Sequence, residues 1–387
     1  MKRLVCALLA SSAVFAGATT LTSDLFETPN HTNGTSLNTS TSTPEWFGYE
    51  GFKVNNVNPF AGTQCVFVDN SADIAGAAFI WQDLIANPNA GTERVVRTQC
   101  AIRWGRTTAA PSSWISGGLL ATNVGENMAL LRFFSDNGKI ELMGFTGVGP
   151  VSATLRNTIA ENAWNNYELR LDYRTATCSA YLNGQNLGAA FPFLATGYTD
   201  TALYNEQNTD NITAGCRYDN YSVETRAGAN VSGTATIHGL ANPLNSWLQL
   251  DFYSGTTLVD SVTGVLNATG QFSVSPLIPN GTYTIIAKGY TTVGRKLTGT
   301  VTAGVLSGLS WVNLPNGNIN GDTAINLADF SLLSSAYGGR LDTDTVTAGN
   351  QSSANWNPWS DLNQDGVTNL SDFSILSTNY GAKNDLP

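Results

Sequence analysis

The segment from Asp361 to Asp372, DLNQDGVTNLSD, concentrates oxygen-bearing side chains at a regular spacing. Positions 1, 3, 5, 9 and 12 hold Asp361, Asn363, Asp365, Asn369 and Asp372. Calcium takes about six to eight oxygens, which a twelve-residue loop supplies from positions 1, 3, 5 and 12, from a carbonyl at 7 and through water at 9. Val367 offers the carbonyl, and Gly366 stands at position 6, where the chain must turn sharply. The segment therefore predicts a calcium site.

A second copy of this pattern lies 43 residues earlier in the chain. Its ligand positions hold Asn318, Asn320, Asp322, Ala324 through its carbonyl, Asn326 and Asp329. Asn318 replaces an acid at position 1, and Thr323 replaces glycine at position 6. Because affinity follows the charge and rigidity of the loop, we expect two structural calcium sites, with the first the weaker. A polar turn repeated without any metal is the alternative.

Apolar residues follow each loop at helical spacing. They are Leu327, Phe330, Leu333 and Tyr337 after the first loop, and Leu370, Phe373, Leu376 and Tyr380 after the second. Gly338 and Gly381 are placed to end the two helices. Helices this short bury little core of their own, so we expect bound calcium to contribute to their folding free energy.

The paired loop-helix units, with Asp at position 12, resemble dockerin modules over residues 316–383. Dockerins fold around calcium and bind cohesin modules on a scaffold or cell surface. The resemblance implies that residues 315–387 tether the chain to a cohesin-like partner. It maps the partner-facing surface onto Leu327, Ala328, Ser334, Ser335, Leu370, Ser371, Ser377 and Thr378.

Residues 45–226 contain many short strand-like runs, which indicate a two-sheet sandwich. In NYELRLDY, alternation predicts Leu169, Leu171 and Tyr173 on one face and Glu168, Arg170 and Asp172 on the other. The stretch AWNNYELRLDYRTATCSAYLNGQNLG, residues 163–188, is similar to a segment of concanavalin A-like, laminin-G-like jelly rolls. That resemblance implies a sandwich of the kind that hosts both lectins and glucanases.

Residues 229–314 form a second β-rich stretch, whose short runs and Gly/Asn turns predict a small Ig-like sandwich. Within it, GQFSVSPLIPNGTYTIIAKG resembles carboxypeptidase-regulatory-like modules, which implies a spacer. The predicted fold class is therefore mostly β and multidomain. It comprises a concanavalin-like jelly-roll sandwich, a small Ig-like β-sandwich and a small α C-terminal dockerin-like calcium module.

No catalytic constellation stands out in the sequence. Glu168 and Asp172 would lie about 13 Å apart along a strand, whereas a retaining glycosidase needs carboxyl groups about 5 Å apart. A solvated charged face is the better interpretation. The two histidines, His31 and His238, fall in the predicted leader and spacer, which argues against a Ser-His-Asp catalytic triad.

A sugar-binding site needs exposed aromatic rings on which a sugar can stack, and it does not need carboxyl groups with shifted pKa values. Trp81, Trp104 and Trp114 of the first sandwich could supply them, although tryptophans of sandwiches more often pack in the core.

The N-terminus indicates an exported protein, and the overall charge limits its partners. Residues 1–18 have the order of a secretory signal peptide, and residues 19–44, rich in Thr, Ser and Asn, predict a flexible leader. A net charge of −10 disfavours nucleic acid and anionic membranes as partners.

Four cysteines remain beyond the predicted signal peptide: Cys65, Cys100, Cys178 and Cys216. An even count in an exported chain suggests two disulfides, with three pairings open. Zinc is the alternative, but the sequence has no CxxC motif and no Cys/His cluster.

Together these patterns predict a secreted, non-catalytic binding and assembly protein. A lectin-like sandwich would bind an extracellular carbohydrate, and a calcium-dependent tail would dock to a cohesin-type partner. Two alternatives stay open: an extracellular glycoside hydrolase with an acid pair assembled from distant strands, and a structural surface protein without a ligand.

Overall fold

A computed structural model describes residues 18–27, 31, 33, 36–37, 45–48, 51–57, 59–68, 76–84, 86–89, 91–106, 115–207, 214–341 and 353–387. Within these ranges the chain forms 22 strands and two helices. The predicted fold class, mostly β with several sandwich sheets and a small helical tail, is confirmed. Neither of the helices in these ranges has the length and apolar character needed to cross a bilayer.

Two sheets face each other in the first sandwich. The first sheet contains β1 (Ala18–Asp24), β3 (Phe52–Asn55), β4 (Cys65–Val68), β6 (Val95–Arg106), β11 (Asn165–Asp172), β12 (Thr177–Leu182), β13 (Gln185–Pro192) and β15 (Ala214–Arg226). The second contains β2 (Trp46–Gly48), β5 (Gly76–Gln82), β7 (Ile115–Asn123), β8 (Glu126–Phe134), β9 (Lys139–Thr146), β10 (Gly149–Thr158) and β14 (Asp200–Gln207). Leu169 and Leu171 of β11 point into the core between the sheets, as the alternation predicts.

The predicted flexible leader is partly wrong. β1 pairs with β15 from Ala18 opposite Arg226 onward, which adds a strand to the first sheet. Phe26 and Leu37 are fully buried in the core, and His31 is buried against the Asp24 carboxylate. A few well-spaced apolar residues and an available strand partner outweigh the polar composition of this stretch. Residues 1–17 of the predicted signal peptide lie outside the described residues.

A second, smaller sandwich follows. Its three-stranded sheet contains β16 (Asn230–Ile237), β19 (Gln271–Val274) and β22 (Val305–Leu314), and its four-stranded sheet contains β17 (Trp247–Ser254), β18 (Thr257–Val265), β20 (Gly281–Gly289) and β21 (Arg295–Val301). β16 and β22 pair in parallel, while the other pairs are antiparallel. Phe252, Ile285 and Leu314 lie in the core of this sandwich.

The interpretation of Glu168 and Arg170 as a solvated face is wrong. Both are buried, because the second sandwich covers this side of β11. Arg170 donates to Glu168 at 2.7 Å and to Asp260 at 3.1 Å, so one guanidinium joins two modules. Burial alone would raise the pKa of Glu168, but Arg170 and Arg97 hold it at about 2.

The predicted disulfides are corrected by the structure, in which Cys65, Cys100, Cys178 and Cys216 are free and buried. One strand lies between Cys100 and Cys65, and one between Cys100 and Cys178. Two strand spacings are about 9.6 Å, beyond the roughly 7 Å between Cα atoms that a disulfide tolerates. Cys216 lies opposite Trp104, four residues along β6 from Cys100. The four thiols pack as small apolar groups, and burial raises the pKa of each.

The tail contains α1 (Leu327–Ala336) and α2 (Leu370–Thr378), each of which begins at position 10 of a predicted calcium loop. Its duplication produces an internal two-fold arrangement. Ala324 bridges to Lys383, and Val367, its counterpart 43 residues later, bridges to Arg340, the counterpart of Lys383. Each half therefore pairs with the other half rather than with itself.

Candidate functional site

The second loop gathers its acidic side chains around one turn. The two carboxylate oxygens of Asp361 accept from the Asp365 and Gly366 amides at 3.1 and 2.8 Å. Gly366 has φ +86°, the left-handed region that favours glycine. Asp372 is fully buried and accepts from the Leu362 amide at 2.7 Å. The structure thus brings positions 1, 5 and 12 together.

Electrostatics in this loop favour a bound cation. Burial, together with the carboxylates of Asp372 and Asp365, raises the pKa of Asp361. Burial and the charge of Asp365 likewise raise the pKa of Asp372. Carboxylates packed this closely repel one another, and a divalent ion removes that repulsion.

The first loop has the same shape with a weaker set of groups. Asp322 accepts from the Ala324 amide at 2.8 Å, and Asp329 accepts from the Asn326 amide at 2.9 Å. Asn318 donates through Nδ2 to the Asp322 carbonyl at 2.9 Å. Its Oδ1 is buried and accepts no hydrogen bond from the residues that the structure describes. That oxygen stands at position 1 of the loop, where a calcium ligand belongs, so the residues present fit the ion.

The asparagines at position 9 have a role that the sequence analysis missed. Asn326 and Asn369 are helix N-caps, and their side chains accept from the Ala328 and Ser371 amides at 2.8 and 2.7 Å. Asp329 and Asp372 close a capping box at each helix. The sequence signal was present, since an Asn three residues before an acid and ahead of an apolar run is typical of a helix start.

The carbonyls predicted as ligands at position 7 also have partners. Those of Ala324 and Val367 accept from the side-chain amides of Asn326 and Asn369 at 3.3 and 3.1 Å. Among the described residues no group of three or more His, Cys, Asp or Glu side chains is arranged to hold a metal. The predicted ligand sets depend on asparagine and main-chain oxygens as well, and they stay a prediction.

All eight residues of the predicted partner surface are exposed. Leu327 and Leu370 are 64% and 67% exposed at the starts of the two helices, which is unusual for leucine. Phe330 and Phe373 meet at 5.9 Å between ring centres where the two halves join. The two copies thus present similar apolar surfaces related by the internal two-fold arrangement.

The three tryptophans that could contact a sugar differ in where they lie in the first sandwich and in whether the structure describes them. Trp104 is buried and stacks on Phe133 in the core, so it is not a sugar platform. Trp114 lies outside the described residues. Trp81 lines a groove of about 550 Å³ on the outer face of the second sheet, together with Phe79, Asp83, Thr122, Asn127 and Asp200.

A charged cluster lies farther along the same face. Arg132 donates to Glu141 at 2.8 Å and to Glu206 at 2.5 Å. Tyr204 donates to the same oxygen of Glu206 at 2.5 Å and stacks on Phe79 at 6.3 Å. Although burial opposes it, Glu141 raises the pKa of Arg132. These groups come from three strands, and their registry across the sheet cannot be read from the order of residues along the chain.

Comparisons with known proteins give distant structural likenesses. No protein-family model matches the chain, and no curated protein matches it. One similar structure is a mutant type II cohesin-X-dockerin complex from Acetivibrio cellulolyticus, at 23% identity and a TM-score of 0.29, covering 41% of this chain and 98% of that one. Another is a carbohydrate esterase from bacteriophage phi24B, at 16% identity and a TM-score of 0.38, covering 54% and 100%.

A third is an endo-β-1,4-glucuronan lyase from Trichoderma reesei, at 12% identity and a TM-score of 0.33, covering 49% of this chain and 93% of that one. TM-scores this low define neither a family nor a function. The class that this chain's own geometry defines is a multidomain β-sandwich protein with a duplicated loop-helix tail.

Proposed function

We propose that this is a secreted, non-catalytic binding and assembly protein. Its first sandwich binds a carbohydrate at the Trp81 groove, the second sandwich acts as a spacer, and the tail docks to a cohesin-like partner once calcium has ordered its loops. The observation that carries the proposal is the Oδ1 of Asn318, which is buried without a hydrogen-bond partner among the described residues and stands at the first ligand position of a duplicated loop.

Calcium would be held in the second loop by Asp361, Asn363, Asp365 and Asp372, with the Val367 carbonyl and a water on Asn369, and in the first loop by the matching groups. When bound, the ion neutralises the clustered carboxylates. The protein's own contribution is to fix the backbone. Asp361 and Asp372 anchor the turn through main-chain amides, and Asn369 starts α2.

The groove supports carbohydrate binding through its mixture of surfaces. Trp81 and Phe79 offer ring faces for the apolar face of a sugar, and Phe79 is 40% exposed. Asp83, Thr122 and Asn127 offer hydrogen-bonding groups for hydroxyls at the same place. Arg132 is paired with two glutamates, so the adjoining cluster carries a net negative charge and favours a neutral sugar over an acidic one.

To test binding, the full chain is applied to a glycan array in calcium, and every glycan that binds is incubated with the protein and assayed for cleavage. We expect binding to a neutral glycan without turnover. A panel of recombinant cohesin modules tests docking, and we expect capture in calcium and release in chelator. Absence of glycan binding refutes the lectin role, and docking that persists in chelator refutes the calcium-dependent tether.

The Glu141–Arg132–Glu206 cluster favours a second candidate, a polysaccharide-acting enzyme. Two carboxylates from different strands meet at one guanidinium on an open face, which is the arrangement that the sequence could not exclude. Turnover in the cleavage assay that is lost in Glu141→Gln or Glu206→Gln selects this candidate over the lectin role.

A further inference from the structure

One arginine of the first sandwich lies across the junction of all three modules. Arg156, on β10, places its guanidinium carbon 4.1 Å from the ring centre of Tyr290 in the second sandwich. The same group lies 5.0 Å from the ring centre of Trp359 in the tail. Its main-chain amide donates to the Tyr290 hydroxyl at 3.2 Å. Arg156 is therefore held in place by packing on two aromatic rings.

The guanidinium also touches the first calcium loop. A Cβ built on Gly321, which occupies position 4 of that loop, would lie 2.5 Å from Nη1 of Arg156. Asn318, Asn320 and Asp322 of the loop line a cavity of about 300 Å³ together with Arg156. A fixed positive charge thus lies beside the ligand groups of one loop.

Within the part of the chain that the structure describes, this cation forms no ion pair with a carboxylate. Nε and Nη2 of Arg156 are buried and donate to no acceptor among the described residues. Burial lowers the pKa of Arg156 to about 10, while Tyr290 and Asp329 oppose that shift. The group is still charged at neutral pH, and Asp329 is the position-12 acid of the first loop.

The second loop has a different environment. The groove beside Asp361 and Gln364 is lined by neutral side chains, among them Trp247, Tyr290 and Trp359, and no Lys or Arg is among its described lining residues. The internal two-fold arrangement of the tail is therefore broken by one residue of another module.

We propose that Arg156 competes with calcium at the first loop, so that docking of the tail against the first sandwich lowers the calcium affinity of that loop. This inference rests on the calcium-binding part of the proposed function. By reciprocity, an ion in the first loop weakens the contact between tail and sandwich by the same factor. For an assumed separation of about 8 Å between a single and a double positive charge in water, the repulsion lowers the affinity roughly fivefold at low ionic strength.

The test is calorimetric titration of calcium into the full chain and its variants at one ionic strength. Arg156→Met removes the charge but keeps an apolar chain on the rings, and Arg156→Lys keeps the charge. Arg174→Met is the matched control, because Arg174 is another arginine of the first sandwich and donates to the Gly228 carbonyl instead of touching the loop. Asp322→Ala identifies the step that belongs to the first loop.

We expect Arg156→Met to raise the affinity of the first loop for calcium by about fivefold or more. If the wild type shows no binding step for that loop, the variant should show one. Arg156→Lys and Arg174→Met should leave both steps unchanged, and the second-loop step should be the same in every chain. Thermal unfolding checks folding, and Arg156→Gln is the second neutral variant should Arg156→Met unfold.

An unchanged, weakened or absent first-loop step in the neutral variants overturns the competition while leaving the tail's calcium role intact. Failure of calcium to bind either loop in every chain overturns the proposed function as well, so the two failures are distinguishable.

Discussion

Individual side chains explain why the two loops differ. Asp361 anchors its turn with both carboxylate oxygens, whereas the side-chain oxygen of Asn318 has no donor in the described ranges. The sequence predicted a weaker first site, because ligand type and spacing can be read directly along a loop, but it did not predict these hydrogen bonds. It did not predict Arg156 beside the first loop or Glu206 beside Arg132, because those neighbours come from distant parts of the chain.

The glycan prediction belongs to this scale. Trp81→Ala should reduce glycan binding by at least about tenfold, because the substitution removes the aromatic surface on which a sugar would stack. Binding is measured by titration of the best glycan from the array. Trp311→Phe in the second sandwich is the control, since that tryptophan lies in a different core. Equal affinity in Trp81→Ala and wild type would contradict the assignment of this groove.

At the scale of secondary-structure elements, the tail is a duplicated unit whose halves complete each other. Helical spacing after each loop predicted both helices, and α1 and α2 begin at Leu327 and Leu370. The prediction that the tail has little core of its own can now be given physical detail. Its buried cluster includes Val293 of the second sandwich, so the tail relies on its neighbour as well as on its own apolar residues.

Removal of a helix cap should be measurable. Asn369→Ala deletes the acceptor for the Ser371 amide and should cost about 1 kcal/mol in the free energy of unfolding. The readout is denaturant unfolding of the full chain in calcium. Ser331→Ala, at an exposed position of α1, is the comparison, and it should change the free energy of unfolding by less than Asn369→Ala does. An unchanged free energy of unfolding in Asn369→Ala would show that the cap does not stabilise the fold.

Across the whole molecule, buried and half-buried polar contacts connect the modules that the sequence analysis treated as separate units. Arg170 pairs with Asp260, Tyr181 donates to the Ser261 carbonyl at 2.7 Å, and Asn379 bonds to His238 at 2.9 Å. Alternation along β11 predicted which residues share a face. It could not predict what covers the charged face, because a buried ion pair and a solvated one have the same sequence pattern.

The buried contacts of Glu168 with Arg170 and Arg97 make the free energy of unfolding depend on pH. The pKa of Glu168 is lowered from 4.5 to about 2, so its contribution is present above about pH 4.5 and is lost as the pH falls toward 2. The shift corresponds to roughly 3 kcal/mol in the free energy of unfolding. Unfolding of wild type and Glu168→Gln between pH 2 and pH 6 measures it. The variant should be less stable at pH 6 and show a flatter pH dependence, and parallel curves would refute the role of these contacts.

Hydrogen–deuterium exchange of the full chain, in calcium and in chelator, tests the calcium-ordered tail most directly. The account predicts that amides of residues 318–336 and 361–378 exchange at least about tenfold faster in chelator, while the strands of both sandwiches keep their protection. In Asp365→Ala the second segment should exchange fast even in calcium. Equal protection of the tail with and without calcium would contradict the account.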